Sequence, residues 1–372
     1  TIRTCISNLT SRKRMKFETL DISIPFKSTF SHANYRRSET ESFFIKVTSE
    51  EGVIGFGESC PRSYVTGETL AGCREFLATN LRGIELITDL AALRQWVAEN
   101  DSLIDESPAA WCAIELALLD TFAKQQRVSV AELLNLPEAK PYCEHSAILG
   151  SSSFKKALLF RLMGFTNFKL KVTADHESNK KMFVLLSCLG LGAGQLRLDG
   201  NNCWQSSSDC IQALQVHSRR FWAIEEPVAA FDYDEMLQVA RHLKCKIILD
   251  ESLLTIADLE TVARHKDYFI ANVRISRLGG ALRTIKIIER LQELGMPFIF
   301  GSHVGETSLL GSAQQMLVQR FARDIVAVEG GFSTWLLQRD PFQPNIKIGF
   351  GGRVALSKAS SSRHGWGMDY VD

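Results

Sequence analysis

The sequence predicts an α/β protein: a (β/α)8 TIM-type barrel preceded by an α+β segment. Three observations carry this. After about residue 140, short apolar runs alternate with amphipathic stretches, the texture of parallel βα units. Eight such runs can be read, the number that closes a barrel. From the second run onward each ends in a polar residue, roughly 26 residues after the last, so one interval spans one βα unit.

The elements follow in order. Residues 1–14, "TIRTCISNLTSRKR", are polar and basic and are expected to precede the fold. "KFETLDISIPF", "ESFFIKVTS" and "GVIGFGES" read as an antiparallel meander, with "SEEG" turning between the last two. The stretch "FKSTFSHANYRRSE" reads as a polar loop rich in candidate ligand contacts. Helical periodicity holds over about 68–126 and is clearest in "SPAAWCAIELALLDTFAKQQ", with Ser107 as a cap and Pro108 at the first position. The barrel runs are then "HSAIL", "NFKLKV", "QLRLD", "FWAIEEP", "KIILDE", "FIANVRI", "PFIFGSH" and "IVAVEG". The rival is an open doubly wound sheet, but neither G-x-G-x-x-G nor G-x-x-x-x-G-K-[ST] is present to support its usual ligands.

Composition narrows the partners. A formal net charge of +1 gives no general attraction to nucleic acid or anionic membrane, and no run of about 18 apolar residues suggests a span. Nine scattered cysteines without a C-x-x-C pair read as reduced thiols, which places the chain in a cytoplasm. The expected partner is a small molecule.

The polar strand ends are Lys171, Asp199, Glu225, Asp250, Arg274, His303 and Glu329. In a barrel they gather on the C-terminal rim, where such enzymes keep their chemistry. Asp199, Glu225 and Asp250 fall on three neighbouring strands, and carboxylates without nitrogen or sulfur ligands suit a hard cation such as Mg²⁺, with Mn²⁺ as a substitute. Any one of them alone would read as a rim residue with a salt-bridge partner, but three at a common period point to a metal. Lys169 and Lys171 share a strand face, where like charges lower each other's pKa. Lys169 is therefore either the group that tunes Lys171 or a carboxylate partner, and the two roles are compatible.

The motifs "KLK" at 169–171, "LDGN" at 198–201, "EEP" at 225–227, "LDES" at 249–252 and "RISRLGG" at 274–280 together resemble the enolase superfamily. Within it the chain is similar to the muconate-lactonizing subgroup of cycloisomerases, o-succinylbenzoate synthases and dipeptide epimerases. The resemblance implies a modified barrel at 139–345, an α+β capping domain at 15–138, and a C-terminal segment, 346–372, returning to the cap. It assigns Asp199, Glu225 and Asp250 to Mg²⁺ and makes Lys171 the acid/base that takes a proton next to a substrate carboxylate. Asn201 would orient a nearby group or serve as a turn residue. A homo-oligomer is expected.

One departure bears on mechanism. Subgroup epimerases and cycloisomerases end the sixth strand in a lysine, and this chain has Arg274. A guanidinium stays protonated, so it clamps anions and shuttles protons poorly. One-base outcomes, cycloisomerisation or syn elimination, are therefore favoured over a two-base racemase or epimerase, which would need His303 as its second base. His303 has a second reading as a rim histidine bonded to Glu306 or Glu329, and Glu306 as an acceptor for Arg274 or the start of a helix. A third alternative is a catalytically silent relative that acts as a binding protein. Specificity is expected from the cap stretches 31–37 and 60–68, where Arg36, Arg37 and Arg62 could meet an anionic group and Tyr35 or Tyr64 could wall the pocket.

Overall fold

The structure, a computed structural model, describes residues 14–32, 35–63, 66–150, 153–355 and 364–371. The chain opens with strands β1 (Lys16–Leu20), β2 (Pro25–His32), β3 (Tyr35–Glu39), β4 (Phe43–Thr48) and β5 (Ile54–Ser59). β1, β4 and β5 form the antiparallel meander that the sequence predicts. The stretch expected as a polar loop instead pairs β2 with β3, setting Ser31 opposite Arg36. Its polar residues alternate with Thr, Phe and Tyr, which favour extended backbone, so pairing overrides polarity.

Helices α1 (Leu70–Ile84), α2 (Leu90–Glu99), α3 (Asp101–Glu106), α4 (Pro108–Gln126) and α5 (Val130–Leu133) follow. Side-chain caps start several of them: Thr69 Oγ1 accepts from Gly72 N at 3.1 Å, and Asp89 Oδ1 from Ala92 N at 2.8 Å. α4 begins with Pro108 at its first turn, but Ser107 makes no side-chain capping bond. It is buried on nearly every face, because β5 crosses it closely at Gly55 and Gly57, where any Cβ would strike its backbone.

After β6 (Tyr142–Glu144) come the barrel strands, each a core of one predicted run. They are β7 (Ala147–Leu149), β8 (Phe168–Lys171), β9 (Leu196–Asp199), β10 (Ala223–Glu225), β11 (Lys246–Leu249), β12 (Phe269–Val273), β13 (Phe298–Phe300) and β14 (Ile325–Val328). They pair in sequence order as one parallel eight-stranded sheet, and Ser146 N donates to Val328 O at 2.7 Å, tying the last strand back to the first. Helices α6 (Phe154–Leu162), α7 (His176–Cys188), α8 (Ser207–Leu214), α9 (Tyr233–Leu243), α10 (Ile256–Val262), α11 (Ala281–Leu294) and α12 (Ser308–Arg320) occupy the connections. The chain ends with α13 (Ser333–Leu336) and strands β15 (Phe342–Gln343), β16 (Arg353–Ala355) and β17 (Asp369–Tyr370). Among the described residues no helix is long and apolar enough to cross a membrane.

Alternation along the strands sorts the barrel interior into layers. Ala223, Ile248, Ile270, Ile299 and Ala327 form an apolar cluster of their own. Two residues further along these five strands stand Glu225, Asp250, Asn272, Gly301 and Glu329, and the four polar ones are joined by Lys169, Arg197 and Asp199 from β8 and β9. A polar seam thus sits directly on an apolar plug.

The N-terminal helices and strands are bonded to barrel helices by buried acids. Glu58, on β5, accepts from Thr307 N at 2.9 Å and Leu310 N at 3.1 Å, at the start of α12. Glu115, on α4, accepts from Leu282 N at 2.9 Å, at the start of α11. A carboxylate is stabilising at a helix N-terminus, where amide N–H groups lack partners. The tail also packs here, with Trp366 Nε1 donating to Leu116 O at 2.9 Å.

Burial nevertheless outweighs those bonds and raises the pKa of Glu115 from 4.5 to about 7. With the folded value above the unfolded one, its favourable share is intact below pH 4.5 and is lost as pH rises from there through 7, on the order of 3 kcal/mol in all. Urea unfolding between pH 5 and pH 8 should therefore show wild-type stability falling more steeply than that of Glu115→Gln. Parallel pH slopes would mean the carboxyl is not responsible.

Candidate active site

The rim residues surround a cavity of about 410 Å³. Its polar wall includes Lys169, Lys171, Asp199, Asn201, Asp250, Arg274, His303, Glu306 and Glu329, all singled out by the sequence. Glu225 lies just beneath, bonded to Lys169.

Lys169 is a buried hub. Its ammonium lies 3.2 Å from Asp199, 3.0 Å from Glu225 and 2.8 Å from Glu329. Burial opposes its charge, but the three carboxylates outweigh burial and raise its pKa. Lys171, two residues on and nearer the opening, donates to Asn201 Oδ1 at 3.2 Å and lies 3.8 Å from Asp199. Its pKa is lowered, first by burial and then, against the pull of Asp199, by Lys169. Lys169 is thus both a carboxylate partner and a like charge beside Lys171, although desolvation does more to Lys171 than the neighbouring charge.

Asn201 and Asn202 both adopt positive φ, 45° and 54°, conformations asparagine tolerates well after a glycine turn. Asn201 N donates to Asp199 Oδ1 at 3.2 Å, so the asparagine fixes the aspartate while receiving the lysine. Glu226, the second glutamate of "EEP", accepts from Asp250 N at 2.7 Å and Ser252 N at 2.8 Å. It shapes the "LDES" turn that presents Asp250.

Among the described residues, no group of three acidic, histidine or cysteine side chains converges to hold a metal ion. Asp199, Glu225 and Asp250 do not form the expected cluster; their charges are met by protein cations. Asp250 bonds to Arg274 through one oxygen and to Arg277 through the other. Glu225 bonds to Lys169 and to Asn272 Nδ2 at 3.0 Å. The chemistry of the donors still suits a hard dication, being all carboxylate oxygen. Negative charge is also in surplus: burial, with Asp199, Glu329 and Asp250 nearby, pushes Glu225 up despite Lys169. Burial together with Asp250 and Glu226 pushes Glu251 up in the same way, and its Oε2 has no hydrogen-bond partner.

Arg274 follows β12 directly. Its Nη1 donates to Ser302 O at 3.1 Å, and Asp250 and Glu225 hold it protonated against the cost of burial. His303 sits beyond β13, buried, with Nδ1 unbonded and 3.7 Å from Glu306 Oε1. Burial, followed by the charges of Arg274 and Arg62, drives its pKa well below the ordinary 6.5, so the ring is neutral. Glu306 bonds to the His303 backbone, not to Arg274, and burial raises its own pKa to about 8.

Other expectations need correcting. Glu329 spends both oxygens on buried cations, Lys169 and Arg197 Nη2 at 2.7 Å, and is not the partner of His303. Arg62 is 1% exposed and donates to the carbonyls of Glu41, Pro61 and Val304. It pins chain to chain and does not line the cavity. Arg37 pairs with Glu41 at 2.9 Å. The side chains of Tyr35, Arg36 and Tyr64 lie outside the described residues. Sequence reasoning missed Arg197, Asn272 and Arg277. The first two sit two positions before Asp199 and Arg274, so strand alternation places them on the same face and could have found them.

Residues 155–371 match the enolase C-terminal domain-like family, and residues 19–135 match the mandelate racemase / muconate lactonizing enzyme N-terminal domain. The chain is 25% identical over 293 residues to the L-amino acid-D/L-Glu epimerase of Francisella philomiragia, covering 78% of this chain and 82% of that one. It is 27% identical over 363 residues to the o-succinylbenzoate synthase of Enterococcus faecalis, covering 92% and 95%. The solved structure of a dipeptide epimerase from Enterococcus faecalis, complexed with Mg and L-Leu-L-Tyr, has a TM-score of 0.79 at 22% identity over 96% of this chain and 99% of that one. The chain belongs to the muconate-lactonizing subgroup of the enolase superfamily and is an isomerase or lyase of that superfamily.

Proposed function

We propose that the chain is a racemase or epimerase acting at the α-carbon of a small carboxylate, such as an N-acyl amino acid or a dipeptide. One observation carries this reading: Lys171 and a neutral His303 with an unbonded Nδ1 line the same cavity from β8 and from beyond β13, three strands apart around the ring. That arrangement offers a proton acceptor on each side of a bound carbon. The epimerase names among the relatives favour it over the one-base outcome expected from Arg274.

In one direction the neutral His303 takes the α-proton and the Lys171 ammonium returns a proton to the opposite face, leaving an imidazolium and an amine. In the reverse direction the Lys171 amine takes the α-proton and the His303 imidazolium gives its proton back. Arg274 stays protonated throughout and meets the negative charge that develops on the substrate carboxylate. Asp199, Glu225 and Asp250 would hold Mg²⁺ or Mn²⁺, which when bound supplies further electrostatic stabilisation to an enolate oxygen.

The test is deuterium wash-in. Enantiopure N-acyl amino acids and dipeptides are incubated with enzyme and Mg²⁺ in D₂O and followed by NMR and chiral chromatography. Two-base chemistry predicts exchange from either enantiomer together with inversion. Exchange from one enantiomer with retention would return the one-base reading, and no exchange from any carboxylate would leave a binding protein.

A further inference from the structure

One side of the cavity is built from aromatic rings. Phe160, on α6, stacks with Trp335 of α13 at 5.6 Å between centroids and meets Phe332 edge-on at 6.0 Å. Phe332 and Trp335 lie 6.0 Å apart at right angles, so each ring contacts the other two. All three line the same cavity as Lys171, with Leu159, Leu336 and Ile346 beside them. Phe160 is buried and braced by Phe165 at 4.9 Å, giving the group a fixed base. Trp335 is 37% exposed and Leu159 47% exposed, so large apolar surface faces the cavity and water. A contiguous apolar wall in a polar site is the informative exception to surface chemistry.

We propose that this wall is a subsite for an uncharged aromatic group on the distal arm of the substrate. The inference rests on the carboxylate reading above and adds the identity of the arm. Charge excludes the alternatives. Ring faces carry negative quadrupole density and repel an anion. Among the described residues the cations on this side are Lys156, one helical turn before Phe160 on α6, and Lys27, which donates to Thr334 O at 2.6 Å; both are exposed, so they offer an anionic arm no buried partner and oppose a cationic one. Of the cavity's carboxylates, Asp199, Asp250 and Glu329 are already paired with cations at the barrel strand ends, Glu306 bonds to the His303 backbone, and Glu251 follows β11, across the ring from the β7 and β14 connections that carry the wall. A neutral ring can stack on Trp335 and fill the edge between Phe332 and Phe160 at no electrostatic cost.

The test separates binding from turnover. N-acyl derivatives of 2-aminoisobutyrate have no α-proton, so their affinity is read by calorimetry whether or not the enzyme reacts. The N-phenylacetyl compound should bind about 10-fold or more tightly than the N-acetyl one, as expected for one stacked and buried ring. Trp335→Ala should bring that ratio down toward one, and Trp335→Phe should restore most of it. Circular dichroism on both variants checks that the fold is kept. Equal affinities, or tightest binding of the N-succinyl compound, would overturn the subsite. Selective binding without α-exchange in any acyl amino acid would uphold the subsite and remove the racemase reading; exchange with no aryl preference would do the reverse.

Discussion

The Lys171→Ala variant is expected to lose α-proton exchange from the enantiomer whose proton faces Lys171 by ~10²–10⁴-fold or more, the usual contribution of a positioned general base, and to lose inversion with it. The substitution is clean for structural reasons. Lys171 is less buried than Lys169, and removing it leaves Asp199 bonded to Lys169 and Asn201. No buried charge is stranded, so the fold and the cavity should persist and the loss should be read in rate. The companion His303→Asn keeps a polar side chain of similar reach but removes the second proton acceptor. It should silence one stereochemical direction and spare wash-in on the other face. Wild-type exchange rates in Lys171→Ala would refute the assignment.

Glu329→Gln is expected to cost about 3–5 kcal/mol of folding free energy, because it breaks a buried ion pair from one side only. Arg197 is 1% exposed, and its bonds run to Glu329 at 2.7 Å and to the Ser146 hydroxyl at 2.9 Å. Without the carboxylate its guanidinium remains charged in the barrel interior, with the Ser146 hydroxyl as the side-chain partner left to it among the described residues. Lys169 is less affected, since Asp199 and Glu225 still face it. Burial opposes the charge on Glu329 too, yet Lys169, Arg197 and Arg274 keep it ionised below the usual carboxylate range. Urea midpoints should shift accordingly. Replacing Arg197 by Met in the same chain should recover part of the loss, as the stranded charge is then gone. An unchanged midpoint in Glu329→Gln would mean water reaches Arg197.

The barrel was legible because its signal is periodic. Eight apolar runs with polar ends repeat at the length of one βα unit, and each run contains one observed strand. The carboxylates were legible for the same reason. What each of them bonds was not. Asp250 is adjacent in sequence to nothing that neutralises it, and its partners Arg274 and Arg277 come from the next strand's end, one at an expected rim position and one beyond it. Arg62 shows the opposite failure: a charged residue near a predicted ligand loop looks like a ligand contact until backbone carbonyls are found around it. The hairpin β2–β3 was hidden because polarity, read alone, cannot distinguish a loop from a strand solvated on one face. The aromatic wall was invisible, since Phe160 and Trp335 are far apart in sequence and neither repeats.

The two acids that bond to barrel helix starts also bear on how this chain could be recombined. Glu58 and Glu115 belong to the first third of the sequence, yet the amides they satisfy open α12 and α11, and Trp366 from the last residues bonds back to α4. Excising the barrel at its sequence boundaries would strip both helix starts of their acceptors, each worth ~0.5–2 kcal/mol. Grafting a foreign first domain would do the same unless it carried acids at both places. In this chain the barrel and the first third therefore share helix-start partners that a cut between them would remove.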